Sequence, residues 1–387
     1  MIIKRTPEDF CVEEVTEVQP GDGPFALYLL EKKGWTTPDA LAAVRRRWRI
    51  DLGRLSYGGL KDRHAHTLQY FTIFRGPQRK LTQGDVRVTY LGQTHEPFSS
   101  RNIRANRFRL ILRRLSPAQV EHAVAELPAV RDYGVPNYFD DQRFGSVAGG
   151  GPFLARAIML GHFEEALRLA LTAHYPHDRR PQKVEKQTLR SYWGDWAACK
   201  ERLSRGHARS LVEYLVHHPN DFRGALERLR PELRGLYLSA YQSHLWNRVL
   251  AAWLESFLPA VQRFDVQLLL GPAPMFRRLE TEELSVLQEK TIALASAKTH
   301  FAADDPVRPF FERVLEQEGV TLTDFRLKGI REMFFSRGER RAHCRPEHLT
   351  WSSDSDDLHP GAYKIALSFE LPAGSYATLI VKRITKA

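Results

Sequence analysis

The pattern that most limits the fold is a change of hydrophobic period along the 387 residues. Near both ends apolar residues recur every second position, as strands require; in the middle they recur three and four apart, as helices require. Residues 1–35 read as strands joined by a hairpin-like loop at Pro20-Gly21-Asp22-Gly23-Pro24. Segments 70–74 and 86–90 have strand composition, and 107–113 alternates so that Phe108, Leu110 and Leu112 face a core with arginines opposite. Thr36-Thr37-Pro38-Asp39 is a helix start, with a hydroxyl cap, an early proline and an acid facing the dipole. That helix runs to about Trp48 with Leu41, Val44 and Trp48 on one face, and a second runs from Ser116-Pro117 to near Leu127. Segments 153–171, 206–216 and 239–257 carry helical spacing, whereas 363–371 and 377–384 read as strands about a turn at Pro372-Ala373-Gly374. The order describes one sheet domain, 1–152 with 339–387, interrupted by a helix-rich insertion, 153–338.

Charge narrows the function. The chain carries 57 Lys+Arg against 46 Asp+Glu, a net +11, and residues 41–114 hold seventeen bases and four acids, a net +13. The other 313 residues net −2, so the excess belongs to one stretch. A GC-rich coding sequence accounts for 43 arginines against 14 lysines, but not for their segregation. A polyanionic partner does, through phosphate contacts that weaken as salt rises. No run of about 18 apolar residues offers a membrane span, and the first ten residues have neither apolar core nor cleavage site, so no secretory signal is expected. Cys11, Cys199 and Cys344 lie far apart, against a disulfide scaffold or a four-thiolate zinc site and in favour of a reducing compartment.

Two constellations carry chemistry. In Tyr57-Gly58-Gly59-Leu60-Lys61-Asp62-Arg63-His64-Ala65-His66-Thr67-Leu68-Gln69, glycines precede one carboxylate flanked by two cations. Such neighbours favour ionised Asp62, available as a base or nucleophile; a solvated carboxylate in a basic turn has the same composition. His64 and His66 would share one side of an extended segment, but no further donor stands at metal-ligand spacing, and His343, Cys344 and His348 lack a second cysteine. In Gly134-Val135-Pro136-Asn137-Tyr138-Phe139-Asp140-Asp141-Gln142-Arg143-Phe144-Gly145, aromatics, an amide and a guanidinium share a loop. These suit an unstacked base, or equally a loop pinned by aromatic packing. Dinucleotide, phosphate-loop and nucleophile-elbow fingerprints are absent from the sequence, and neighbouring acids such as Asp140-Asp141 are poor evidence for a shared site.

Together these residues resemble the TruD family of tRNA pseudouridine synthases along nearly the whole chain. Lys4 to Phe10 is similar to its amino-terminal motif, Gly59 to Ala65 with Thr67 and Gln69 to its catalytic motif, and Gly134 to Gly145 to its base-binding loop. Ser239-Ala240 with Ser243, Leu245 and Asn247 resembles a helix of its inserted domain, and Phe369 to Thr378 its carboxy-terminal motif. Two departures stand out: Arg104-Ala105-Asn106-Arg107-Phe108 lacks a glycine usual in that strand, and Lys382-Arg383 replaces an Arg-Glu pair.

The resemblance implies an α+β fold, a pseudouridine synthase catalytic domain with a mixed, mainly antiparallel sheet interrupted by a helix-rich α/β insertion. It implies a cytoplasmic isomerase that needs no cofactor or metal, breaking the N1–C1′ bond of a tRNA uridine, by family precedent uridine 13, and rejoining the base through C5. By the same carry-over Asp62 is the catalytic aspartate, attacking the ribose or removing a proton from it, and Lys4 holds it ionised. Phe139 stacks on the target base, Asn137 lines the same pocket, and Gln142 and Arg143 hold the loop or the RNA backbone. Lys61, Arg63, His64, Arg104 and Arg107 are expected to meet RNA. Extruding a stacked nucleotide costs a few kcal/mol, which phosphate contacts and a stacking platform worth ~1–3 kcal/mol would offset. The expected partner is tRNA, the expected state a monomer. An RNA-binding or tRNA-folding protein whose modification activity is secondary or lost is the competing reading.

Overall fold

Both ends of the chain feed one mixed sheet. The computed structural model describes residues 1–175, 178–327, 330 and 333–386. Strands β1 (Ile2–Ile3), β2 (Phe10–Val15), β3 (Phe25–Lys33), β4 (Leu55–Tyr57), β5 (His66–Phe74), β6 (Leu81–Gln83), β7 (Val86–Thr94) and β8 (Ala105–Leu115) come from the amino end. With strands Glu347–Ser355 and Tyr363–Pro372 they form a ten-stranded sheet among the described residues. From one edge the order is Glu347–Ser355, Tyr363–Pro372, β8, β2, β5, β3, β7, β6, with β1 also on β8 and β4 also on β5. The β2–β5 pair is parallel and the other pairs in the sheet are antiparallel.

This sheet belongs to a unit made of Met1–Asn137 and His343–Ala387, and a second unit spans Tyr138–Ala342. The period change sets the divide at 152/153 and 338/339. Residues 138–144 go with the second unit because their aromatics pack there: the Tyr138 hydroxyl donates to the Pro274 carbonyl at 3.0 Å and the Phe139 ring meets Trp246 edge-on.

In the first unit, helix α1 (Thr37–Trp48) starts at Thr36, whose hydroxyl accepts from the Asp39 N–H, and it ends at Arg49 in a left-handed turn. Its Leu41, Val44 and Trp48 pack on Ala26, Tyr28 and Leu30 of β3 and Phe71 and Ile73 of β5. Arg46, Arg47 and Arg49 stay exposed.

Four local readings change. The Pro20–Pro24 loop is not a hairpin, because β5 lies between β2 and β3 and pairs with both. The alternation of β8 breaks at its end: Leu112 and Arg113 are both buried, and Arg113 turns inward to Asp9, Asp356 and Asp357. Helix α2 (Pro117–Tyr133) continues through Pro128, burying Val130 beyond it. Residues 377–384 are not a strand: Ala377–Thr385 is a helix whose Ala377, Ile380, Val381 and Ile384 share a face.

The second unit is built on helix Pro231–Phe257, which begins eight residues before its expected start and buries Leu245, Trp246, Val249, Leu250, Trp253 and Leu254. The helix expected over 153–171 is two, Leu154–Met159 and Phe163–Thr172, because Gly161 between them adopts φ 78°. Antiparallel ribbons Arg263–Leu268 with Gly271–Phe276, and Thr291–Ala293 with Glu339–Arg341, complete it.

Candidate active site

Between β4 and β5 the chain leaves the sheet for the Gly58–Ala65 loop. A Cβ on Gly58 would stand 2.5 Å from Ile103 Cδ1, so a larger residue there would have to displace the end of that side chain, while Leu60 and the guanidinium-bearing Arg63 reach solvent. Asp62 sits at the loop's centre with its side chain 17% exposed. Its Oδ2 accepts from Lys4 Nζ in an ion pair, and its Oδ1 accepts from the His64 N–H at 2.9 Å. Burial, the largest single influence, pushes the Asp62 carboxyl upward, but the Lys4 bond, the His64 N–H and the Lys4 charge outweigh it and hold the carboxyl below its usual range. Lys4 itself stands at φ 63°, a left-handed conformation costing a lysine about 1–2 kcal/mol. Its ammonium also lies 4.1 Å from the Phe10 ring centre.

Three wholly buried polar side chains grip the loop from below. Thr37 Oγ1 accepts from the Lys61 N–H at 3.0 Å and donates to Gln69 Oε1 at 2.7 Å, and Gln69 Nε2 donates to the Gly59 carbonyl at 3.3 Å. Lys32 Nζ donates to the carbonyls of Trp35 and Asp62 at 2.8 and 3.0 Å. The Lys61 side chain turns inward as well: Nζ donates to Asn106 Oδ1 at 2.7 Å and stands 3.0 Å from Glu14 Oε1. Burial pushes the Glu14 carboxyl up, with the Lys61 charge acting the other way.

The remaining cations of the motif face outward. Arg63 Nε donates to the Gly34 carbonyl at 3.2 Å, and His64 is exposed. Gly34, Trp35, Asp39, Ala42, Arg46 and Arg63 line a cleft of about 360 Å³. Arg104 and Arg107 are both half-exposed and both bound to Glu370, at 2.8 Å each. Glu347 and Glu13 add further partners to them. His64 and His66 do not share an extended segment: His64 lies in a turn, whereas His66 opens β5 and stands 2.9 Å from Glu31.

Asn137 closes the first unit, 5% exposed. Phe139, Gln142 and Arg143 belong to the second. The Phe139 backbone is clamped by Asn247, whose Oδ1 accepts from its N–H and whose Nδ2 donates to its carbonyl, both at 2.8 Å. The Phe139 ring is 6% exposed, with the guanidinia of Arg340 and Arg143 at 4.2 and 5.3 Å from its centre. Gln142 is exposed on a 3-10 turn, Asp141–Phe144. Arg340 also donates to the Tyr138 carbonyl at 3.1 Å. Its role had no sequence signal, being about 200 residues from the aromatic it covers; Lys32 and Thr37 were likewise missed, lying outside the motif they support.

Among the described residues, Glu347, His348 and Glu370 have the spacing of cation ligands, but Glu370 is already held by Arg104 and Arg107. His343 is a packing residue, buried with Nε2 2.6 Å from the Tyr133 carbonyl. No described helix is long and apolar enough to cross a membrane.

Residues 1–384 match the family model described as tRNA pseudouridine synthase D (TruD). A Methanococcus maripaludis chain named "Probable tRNA pseudouridine synthase D 1" is 30% identical over 392 residues, covering 99% of each chain. The tRNA pseudouridine synthase D of Aquifex aeolicus is 28% identical, covering 99% of this chain and 97% of its own. A crystal structure of the Methanosarcina mazei chain assigned as tRNA pseudouridine synthase D superposes with a TM-score of 0.71 at 26% identity, over 100% of this chain and 93% of that one.

Proposed function

We propose, for a chain that belongs to the TruD family of tRNA pseudouridine synthases, that Asp62 is the group that reacts with the ribose of the target uridine. The protein is an isomerase of that family. Its reaction breaks the N1–C1′ bond, turns the base, forms C5–C1′, and moves a proton from C5 to N1. Nothing is oxidised or reduced, so the reaction balances with protein groups and solvent alone. Either addition of Asp62 to C1′ or removal of a ribose proton needs an ionised carboxylate. The observation that carries the reading is the ion pair with Lys4, supplied by a strained lysine to a carboxylate that would otherwise be pushed towards neutrality.

The same reading extends to Phe139 as the aromatic that stacks on the base, with Asn137 in its pocket and Gln142 and Arg143 supporting the loop. The Phe139 ring is now covered by Arg340 and Arg143, so stacking would require a guanidinium to yield. RNA contacts fall to Arg63 and His64, with Arg104 and Arg107 as further candidates; Lys61 serves Glu14 and Asn106. The target position, uridine 13 of tRNA, and a cytoplasmic location complete the proposal. Mapping pseudouridine after incubating purified protein with an unmodified tRNA pool tests it. Modification at position 13 is expected, and a pool left unmodified would contradict it.

A further inference from the structure

The row Ala26, Tyr28, Leu30 on β3 packs against α1, and the next residue in that row is Lys32. A methionine would fill the position without desolvating a charge. Instead an ammonium is buried with its side chain wholly enclosed, and burial holds it down to about 8, against the pull of the Asp62 charge. Among the described residues it finds no carboxylate hydrogen bond; its donors go to carbonyls, Trp35 at 2.8 Å, Asp62 at 3.0 Å and Lys61 at 3.5 Å. Trp35 leads into the cap of α1, and the other two belong to the reactive loop. Three carbonyl dipoles from two segments therefore converge on one cation.

We propose that Lys32 is a positioning residue of the isomerase, its ammonium tying the peptide groups of Lys61 and Asp62 to the start of α1 so that the Asp62 carboxylate is held in line for the ribose. The proposal rests on Asp62 being the reacting group. Lys32 holds the carbonyl of the peptide after the Asp62 Cα at 3.0 Å and meets that of the peptide before it, the Lys61 carbonyl, at 3.5 Å, while Thr37 holds the Lys61 N–H one peptide further back. With both peptides pinned, the Cα–Cβ direction of Asp62 is set before substrate arrives. The carboxylate then needs only Lys4 and the His64 N–H to complete its placement. A misplacement of about 1 Å at such a group costs on the order of 100-fold in rate.

The test is Lys32→Met, which keeps the stem and removes the charge, alongside Lys32→Gln and Asp62→Asn, all in the full chain. Thermal unfolding, and kcat and KM for pseudouridine formation in unmodified tRNA, are measured for each. The expected result for Lys32→Met is a folded protein with kcat lowered about 100-fold and KM within about threefold. A kcat within about threefold of wild type overturns the proposal, as does a rise in KM with kcat intact, which would make Lys32 an RNA-binding group. Loss of the fold in both Lys32 variants overturns it too, since the ammonium would then serve the core. An active Asp62→Asn overturns the premise and the proposal with it; an inactive Asp62→Asn beside an active Lys32→Met overturns the proposal alone.

Discussion

A carboxylate that must react while ionised, in a site that partly excludes water, depends on its donors, and Asp62 has one on each oxygen. Removing Lys4 leaves the upward push of burial in place, so the Asp62 carboxyl of Lys4→Met rises. In wild type its lowered value means that the pairing contributes stability above the ordinary carboxylate range and loses it as pH falls. The acid limb of kcat/KM should therefore move to higher pH in Lys4→Met, with about tenfold more activity lost at pH 5 than at pH 8. A pH–rate profile with an unmoved limb would separate Lys4 from the ionisation of Asp62. The motif around Asp62 was legible because its glycines, acid and cations are contiguous. Lys32 was not, since a lysine in a strand reads as an outward-facing residue until the facing carbonyls are known. Lys61 has the same ambiguity: its neighbours in sequence say nothing of Glu14 and Asn106, which wait beneath it.

At the scale of elements, alternation and helical spacing located most strands and helices, and failed where buried charge or β-branched composition competed with them. Arg113 breaks the β8 pattern because Asp9 and Asp356, both buried, need a cation. Hydrogen bonds hold the Asp356 carboxyl far below its usual range against the opposing effect of burial. Arg113→Leu strands those acids and should cost about 3–5 kcal/mol, read as a lower midpoint in urea at pH 7. The loss should shrink as the medium is acidified and the carboxyls protonate. The helix Ala377–Thr385 was hidden because Leu379, Ile380 and Val381 form an apolar run that also suits a strand. Its Arg383 is buried on Glu126, so the basic pair that departs from the family pattern still has an acid to meet. Ala105, where the family has glycine, is buried in β8 opposite Val15.

For the molecule as a whole, the net +13 of residues 41–114 falls entirely within the unit that carries Asp62. Arg46, Arg47 and Arg49 display it on the exposed side of α1, and Arg63 joins Arg46 in one cleft. Affinity for tRNA should fall steeply with salt. Arg63→Ala should make the slope of log K against log salt shallower by about one, whereas Lys61→Met should leave it unchanged. Equal effects of the two substitutions would mean that Lys61 leaves its internal partners to meet RNA. Charge segregation was readable from sequence alone; the division at Asn137 was not, because it is set by where Tyr138 and Phe139 pack.

The catalytic expectations hang on one carboxylate. The most direct measurement is single-turnover pseudouridine formation in an unmodified tRNA by wild type and by Asp62→Asn at matched, saturating protein. The account predicts modification by wild type and none by Asp62→Asn, with both proteins binding the tRNA alike. Pseudouridine formed by Asp62→Asn at a rate near that of wild type would contradict it.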